Sequence, residues 1–74
     1  MKGETKQQWL WSFEDGRAIA WSDPGDEWFF RVNGPPLGWH DGEWLYGLDG
    51  KPIGWFAAGT LYEHGTGRPL YYLA

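Results

Sequence analysis

The chain has 74 residues, seven of them tryptophan, a formal net charge of −4 and no cysteine. A chain of this length forms one small domain, the negative charge argues against nucleic-acid phosphate as a partner, and the missing cysteine excludes disulfides and Cys-ligated zinc. No apolar run is long enough to span a membrane and the N-terminus has no apolar signal-peptide region, so we expect a cytoplasmic protein.

The N-terminal segment, residues 1–8, is polar throughout and reads Met-Lys-Gly-Glu-Thr-Lys-Gln-Gln. We predict that it is a short disordered arm. The alternative is an extra edge strand that closes the ring of strands formed by the rest of the chain. Residues 9–74 are predicted to form a single four-repeat β domain.

From residue 9 onward one pattern occurs four times: an aromatic strand, a Gly-containing turn, and a return strand that ends on an aromatic residue. The clearest copy spans residues 44–55, in which Asp49-Gly50 forms the turn and Gly54-Trp55 ends the return strand. The other copies span residues 9–21, 28–39 and 60–72. A repeat of this kind is a stronger guide to the fold than local propensity.

Apolar residues alternate within each copy, as expected for β-strands. We predict that the tryptophan-bearing face packs inward and forms a Trp-rich core around a pseudo-fourfold axis. The matched aromatic residues that end the return strands are Trp21, Trp39, Trp55 and Tyr72. Two hypotheses for these four rings stay open: they pack tightly as core, or they leave a gap that holds a small ligand against their faces.

The opposite face carries a second apolar series. Its members, at matched positions, are Leu10, Phe29, Leu45 and Leu61. Monomeric proteins seldom expose an apolar patch of this size. Either the sheet has two buried faces, or this surface is an interaction face that meets a protein partner or a second copy of the chain.

Turn chemistry completes the prediction of eight short antiparallel strands and no helix. Asn33-Gly34 and Asp49-Gly50 have the composition of two-residue hairpin turns, so Gly34 and Gly50 are expected to have positive φ. The first and last hairpins need one extra residue, which a β-bulge can absorb. The return strands share a proline, at Pro36, Pro52 and Pro69. Because proline cannot donate to a ladder, these strands are predicted to be edges or to be paired over only part of their length.

The strand, Asp-Gly turn and Gly-Trp pattern resembles the small bacterial four-fold beta flower domain, over residues 9–74. That resemblance implies four β-hairpins arranged about a fourfold axis. It implies no known activity, because it rests on repeat count, length and turn chemistry rather than on a functional motif.

Residues 38–46, followed by Asp49-Gly50 and Gly54-Trp55, also resemble a choline-binding repeat of cell-wall-binding proteins. That resemblance implies an aromatic cage for a quaternary ammonium group. The positions that match the cage are Trp39, Trp44, Tyr46 and Trp55. The chain departs from that family in its shorter repeats and in the lack of a secretion signal.

No set of residues has the spacing of a catalytic or metal site. Asp15, Asn33 and Asp49 precede turn glycines, and we interpret them as turn residues rather than as metal ligands. His64 replaces an apolar residue of the other copies, so it is either a core imidazole with a hydrogen-bond partner or one wall of a site. His40 is expected to be solvated.

No Ser or Thr has an adjacent base or a nucleophile-elbow context, so we predict a protein without enzymatic activity, cofactor or metal. The sequence thus favours a small non-enzymatic binding module for a protein partner or for self-association. The alternative is an aromatic-cage binder of a small ligand, either a choline-like cation or a sugar.

Overall fold

The computed structural model describes residues 7–74, which form a closed antiparallel barrel in which each strand pairs with the next and the last pairs with the first. The strands are β1 (Gln8–Ser12), β2 (Ala18–Ser22), β3 (Trp28–Arg31), β4 (Pro36–Asp41), β5 (Trp44–Gly47), β6 (Pro52–Ala57), β7 (Thr60–Glu63) and β8 (Pro69–Leu73). Residues 7–74 contain no helix. The predicted all-β fold of four consecutive hairpins is confirmed.

The domain boundary differs from the prediction by one residue, because Gln8 already belongs to β1. Its Cα partner is Ser22 in β2. Gln7 precedes β1, and its Nε2 donates to Asp23 Oδ1 at 3.2 Å. The rest of the predicted N-terminal arm, with its edge-strand alternative, falls on residues 1–6, which lie outside the described residues.

The barrel interior pairs a large side chain with a small one across most hairpins. The four cross-strand pairs are Leu10 with Ala20, Phe29 with Gly38, Leu45 with Gly54, and Leu61 with Tyr71. Outgoing strands therefore contribute leucine or phenylalanine, and return strands contribute glycine or alanine in three cases out of the four. Small barrels fill their interior by this kind of alternation. The enclosed cluster is Leu10, Ala20, Phe29, Leu45 and Leu61.

Glycine is required in two return strands by a close approach of backbones. A Cβ atom on Gly38 would overlap the carbonyl oxygen of Tyr46, and a Cβ on Gly54 would overlap that of Tyr62. Backbone atoms cannot swing aside as a flexible side chain can. These two glycines therefore let β4 and β6 lie unusually close to the strands that follow them.

The structure reverses the predicted roles of the two sheet faces. Four residues assigned to an outward interaction face are instead the enclosed core, with at most 2% of their surface exposed: Leu10, Phe29, Leu45 and Leu61. A surface that is sealed inside the barrel cannot meet a partner, so that prediction is wrong. The aromatic residues expected in a Trp-rich core are half-buried on the outside: Trp21, Trp39, Trp55 and Tyr72.

The physical reason is the width of the barrel. Eight strands of 4 to 6 residues enclose room for about one layer of leucine-sized side chains. An aromatic side chain buries roughly 150–250 Å², and four of them would not fit beside that layer. The indoles instead lie along the outer wall, where neighbouring rings cover part of each.

A β-bulge interrupts every hairpin, rather than only the first and last. The register shifts lie between Leu10 and Trp11, Phe29 and Phe30, Leu45 and Tyr46, and Leu61 and Tyr62. Pro36, Pro52 and Pro69 stand at the shifted step of the last three. A bulge leaves one residue unpaired, so a proline fits there without the loss of a ladder hydrogen bond. These strands are not edge strands, because a closed barrel has no edges.

The hairpin turns keep the predicted glycine conformation but not the predicted length. Gly34 has a φ of 119° and Gly50 a φ of 82°, which confirms the expectation for both. The loops have three residues, since Gly50 N donates to Gly47 O at 2.9 Å and Gly47 N donates to Lys51 O at 2.8 Å. Asp49 is not among the residues with positive φ. The two-residue turn is therefore wrong, because the bulge supplies the residue that lengthens the loop.

Truncation of one side chain on each sheet face should distinguish the enclosed core from the outer surface. We expect Leu45→Ala to lower the free energy of unfolding by about 2–5 kcal/mol, because it opens a cavity in the enclosed core. We expect Trp28→Ala to cost about 1 kcal/mol, as for the loss of one aromatic pair on a partly exposed surface. Urea unfolding measures both, and a larger loss for Trp28→Ala would contradict the assignment of the faces.

The β6–β7 turn offers a site where the native sequence is strained. Ala58 and Gly59 are its two central residues and have φ values of 51° and 82°, which is the pattern of a type I′ turn. We expect Ala58→Gly to raise the free energy of unfolding by about 0.5–1 kcal/mol, since it relieves the strain of a side chain at positive φ. Gly59→Ala is the control and should destabilise the protein by a similar amount in the same thermal melts.

Candidate binding surface

An outer aromatic surface surrounds the barrel because the outward positions of adjacent strands carry aromatic residues opposite one another. Trp21 lies opposite Trp9 on one side and Phe30 on the other. The same arrangement continues around the wall. We define the outer aromatic surface as Trp9, Trp11, Trp21, Trp28, Phe30, Trp39, Trp44, Tyr46, Trp55, Tyr62 and Tyr72.

Two quadrants of this surface repeat the same tryptophan geometry. The ring centroids of Trp28 and Trp39 are 5.7 Å apart at an interplanar angle of 52°, and those of Trp44 and Trp55 are 5.9 Å apart at 57°. A tyrosine stacks on the second tryptophan of each pair at 25° in both. The repeated angles show that the two pairs are equivalent in structure as well as in sequence.

A glutamate precedes the first tryptophan of each pair. The backbone carbonyl of Glu27 accepts a hydrogen bond from His40 N at 2.7 Å, and that of Glu43 accepts one from Phe56 N at 2.7 Å. We call each glutamate with its tryptophan pair a Trp groove. The first consists of Glu27, Trp28 and Trp39, which line a shallow, open pocket of ≈ 320 Å³. The second consists of Glu43, Trp44 and Trp55, and the His64 ring stands 5.9 Å from that of Trp44.

The predicted convergence of Trp21, Trp39, Trp55 and Tyr72 on the axis does not occur. Each lies on a different return strand, and the outer face of a closed barrel keeps them apart. Trp21 packs on Phe30 at 5.1 Å and Tyr72 packs on Phe13 at 5.0 Å. Ligand binding by these side chains stays a prediction, but one ligand cannot contact all four rings.

The choline-type positions fall in two neighbouring quadrants. Trp39 stacks on Tyr46 at 5.5 Å in one of them. Trp44 and Trp55 form the pair in the next. An aromatic cage of that kind would therefore have to combine Trp39 and Tyr46 with both tryptophans of the second Trp groove.

Charge is distributed unevenly between the two ends of the barrel. The end that carries the three links between hairpins, which we call the connection end, has the carboxylates Asp23, Asp26, Glu27, Asp41 and Glu43. Within residues 7–74, the basic side chains all flank the hairpin loops at the opposite end, which we call the hairpin end: Arg17, Arg31, Lys51 and Arg68. The negative charge of the described chain is therefore concentrated where the Trp grooves begin.

Three exposed apolar side chains occupy matched positions in the hairpin loops. Phe13, Val32 and Leu48 are 52%, 54% and 60% exposed. His64 holds the fourth such position and is also exposed, so its interpretation as a core imidazole is wrong. These residues lie beyond the paired strands, in loops whose length the sequence pattern underestimates.

His40 differs from its prediction as well. It is half-buried in β4 rather than solvated. Its ring meets Phe56 edge-on at 5.3 Å and Phe29 at 6.3 Å. The residue lies on the inward face of its strand, because it is two positions beyond Gly38.

Turn roles for two of the aspartates are confirmed. Asp15 Oδ1 accepts a hydrogen bond from Arg17 N at 3.1 Å, and Asp49 Oδ1 accepts one from Lys51 N at 3.0 Å. Both are side-chain bonds to the backbone two residues ahead, as expected for Asx turns. Across residues 7–74 no group of three or more His, Asp or Glu side chains is placed to hold a metal ion.

Glu63 accepts hydrogen bonds from two side chains at the last hairpin loop. Thr66 Oγ1 donates to Glu63 Oε1 at 2.6 Å, and Arg68 Nη2 donates to the same oxygen at 3.2 Å. The hydrogen bond from the Thr66 hydroxyl is the main cause that holds the pKa of Glu63 below its usual value; desolvation opposes it, and the Arg68 guanidinium adds to the lowering. Because the pKa of Glu63 is lower in the folded state than in the unfolded state, its carboxylate stabilises the folded protein at pH values above the unfolded pKa. This contribution is lost as the pH falls through the folded pKa.

The geometry defines a class: a small closed barrel of four hairpins that presents tryptophans outward. The family model described as 4-fold beta flower protein matches residues 10–71. The chain therefore belongs to the four-fold beta flower family. Comparison with curated proteins and with solved structures yields no significant match. In the described part of the chain no helix is long and apolar enough to cross a membrane.

The environment of Glu63 can be tested by titration. We expect Thr66→Val to raise the pKa of Glu63 toward its usual value, because the strongest hydrogen bond to the carboxylate is lost. NMR observation of the Glu63 side-chain carboxyl as a function of pH measures the change. Thr60→Val is the control, because it removes a hydroxyl from the start of β7, the strand that ends at Glu63. An equal shift in both variants would contradict the role given to Thr66.

Proposed function

We propose that this protein is a non-enzymatic binding module that engages a protein partner through its outer aromatic surface. The observation that carries the proposal is the exposure of Trp28 and Trp44, at 38% and 36%. They occupy the same position in two repeats. Large aromatic residues at the surface are characteristic of the central part of protein interfaces.

The barrel does not need these two side chains for closure. Its enclosed cluster consists of aliphatic residues and Phe29, and the strand ladder is complete without an edge. Trp28 packs on Trp39, whereas Trp44 packs on Trp55 and also meets the His64 ring edge-on. Both tryptophans keep more than a third of their surface in solvent, and such a partly open indole supplies contact area to a partner at little cost in side-chain entropy.

The arrangement of hydroxyl groups supports binding rather than catalysis. Ser22 Oγ donates to the backbone carbonyl oxygen of Asp26 at 3.2 Å, and Thr66 Oγ1 donates to Glu63. Ser12 is buried and its hydroxyl accepts a hydrogen bond from Glu14 N. Within residues 7–74 neither histidine is hydrogen-bonded to one of these hydroxyls, as a nucleophile activated by a base would be.

A small ligand is the second candidate, and the first Trp groove favours it. Trp28 and Trp39 are tilted at 52°, and the acidic residue Glu27 lines the same pocket. Aromatic faces with an adjacent negative charge attract cations. Titration of tryptophan fluorescence with choline and with simple sugars tests this candidate, and saturable quenching that is absent in Trp28→Leu would support it.

Capture from a lysate of the source cells tests the primary proposal. The baits are the wild type, Trp28→Ser/Trp44→Ser, and Phe13→Ser/Leu48→Ser, which removes even more exposed apolar groups from the hairpin end. We expect the first variant to lose the proteins retained by the wild type, and the second to keep them, because the exposed tryptophans are the proposed contact. Loss in the second variant alone would contradict the proposed surface. Circular dichroism confirms that each bait is folded.

A further inference from the structure

We infer that the two Trp grooves dock arginine side chains of a basic segment in the partner protein. This inference rests on the proposed function and identifies the chemistry of its partner. In each groove a partly exposed tryptophan directly follows a glutamate in the chain, at the acidic end of the barrel. The first groove is Glu27, Trp28 and Trp39, and the second is Glu43, Trp44 and Trp55.

The sign of the partner's charge follows from the surroundings of the grooves. Both open at the connection end, where residues 7–74 place five carboxylates and no Lys or Arg. Neither Glu27 nor Glu43 forms a salt bridge with another residue in the range 7–74. The salt bridge that does form in this range, Arg68–Glu63, lies at the hairpin end. A basic segment is therefore attracted to this end of the barrel, and an acidic one is repelled.

The shape of the cation follows from the ring separation. The two indoles of a groove are in contact, with centroids 5.7 and 5.9 Å apart. An ammonium group enclosed between two faces would need a wider gap, because it must contact each ring at van der Waals distance. The face left open is that of a single indole, on which a planar guanidinium can stack. The carboxylates collected at the same end of the barrel attract its charge.

The repeat explains why two grooves exist and not four. In the fourth repeat the equivalents of Glu43 and Trp44 are Gly59 and Thr60, since Leu73 N donates to Gly59 O as Phe56 N donates to Glu43 O. In the first repeat the position before Trp9 is Gln8. Neither quadrant has both a carboxylate and a tryptophan pair, so neither forms the site.

The probe is a fluorescein-labelled peptide of alternating Arg and Gly, with matched Lys-Gly and Glu-Gly peptides. Fluorescence anisotropy measures binding to the full chain at low and at physiological salt. We expect the Arg peptide to bind more tightly than the Lys peptide, and the Glu peptide not to bind. Trp28→Leu keeps an apolar side chain and should weaken Arg-peptide binding by about two- to fivefold, the effect of one exposed cation–π contact. Trp28→Leu/Trp44→Leu should weaken it further than either single variant.

Two variants of nearly unchanged side-chain shape, each of which removes one negative charge, keep the test independent of folding. Glu27→Gln should weaken binding by up to about fivefold at low salt, because it removes one exposed ion pair. Glu14→Gln makes the same chemical change at an exposed position of the hairpin end, and should leave binding within about twofold. Equal losses in these two variants would overturn the inference, since attraction would then depend on net charge alone.

The remaining outcomes separate this inference from the proposed function. Arg-peptide binding that is unaffected by the tryptophan variants overturns the inference. Absence of Arg-peptide binding also overturns it, and leaves the binding module standing if lysate proteins are still lost from Trp28→Ser/Trp44→Ser. Saturable choline binding at Trp28 without competition by the Arg peptide overturns it in favour of a small cation. Competition of the Arg peptide with captured lysate proteins supports it.

Discussion

The narrow interior of the barrel is the constraint on which the rest of the structure depends. Strands β4 and β6 lie so close to the strands that follow them that only glycine fits at Gly38 and Gly54. Across each hairpin that space is filled from the opposite side, by Phe29 and Leu45. One layer of such pairs fills a barrel of eight short strands. Everything larger must lie outside, and this includes the seven tryptophans that dominate the composition.

The outer position of the tryptophans gives them two roles at once. A domain of 74 residues has a small enclosed core, so ring-on-ring packing along the wall adds stability that the interior cannot supply. Each pair covers only part of its rings, and Trp28 and Trp44 keep more than a third of their surface in solvent. The fourth repeat has diverged: Thr60 replaces the tryptophan and Tyr71 replaces the inward glycine. The barrel stays closed although this repeat has changed at one inner and one outer position.

Much of this fold could be predicted from the sequence, because the repeat fixes the number of strands and the turn glycines fix the hairpins. The choice of the inner face could not be made from alternation, since both faces are apolar. The signal that distinguishes them is the glycine before each return-strand tryptophan: Gly38 and Gly54 share the face of the leucine series, and a glycine at a matched position marks a close approach. Loop lengths were underestimated for a related reason, because a bulge moves one residue between strand and turn without a change in sequence pattern. The candidate site followed the same error: Trp39 and Trp55 were predicted as parts of one cage, and Trp44 only through the choline-binding resemblance. Trp28 was missed, because its exposure depends on which face of the strand points outward.

The polarity of the barrel follows from its connectivity. In a closed barrel of consecutive hairpins, every second turn lies at the same end. Acidic residues that recur in the links between hairpins, such as Asp23 and Asp41, are therefore collected at one end, although they are separated in sequence by a basic residue, Arg31. A charge pattern that looks evenly mixed along the chain thus becomes segregated in space. Because the outgoing strands begin at that end, the tryptophans at their first positions, Trp28 and Trp44, border the carboxylates. A partner that approaches from this side meets indole faces and negative charge together, a combination that a mixed surface would not present.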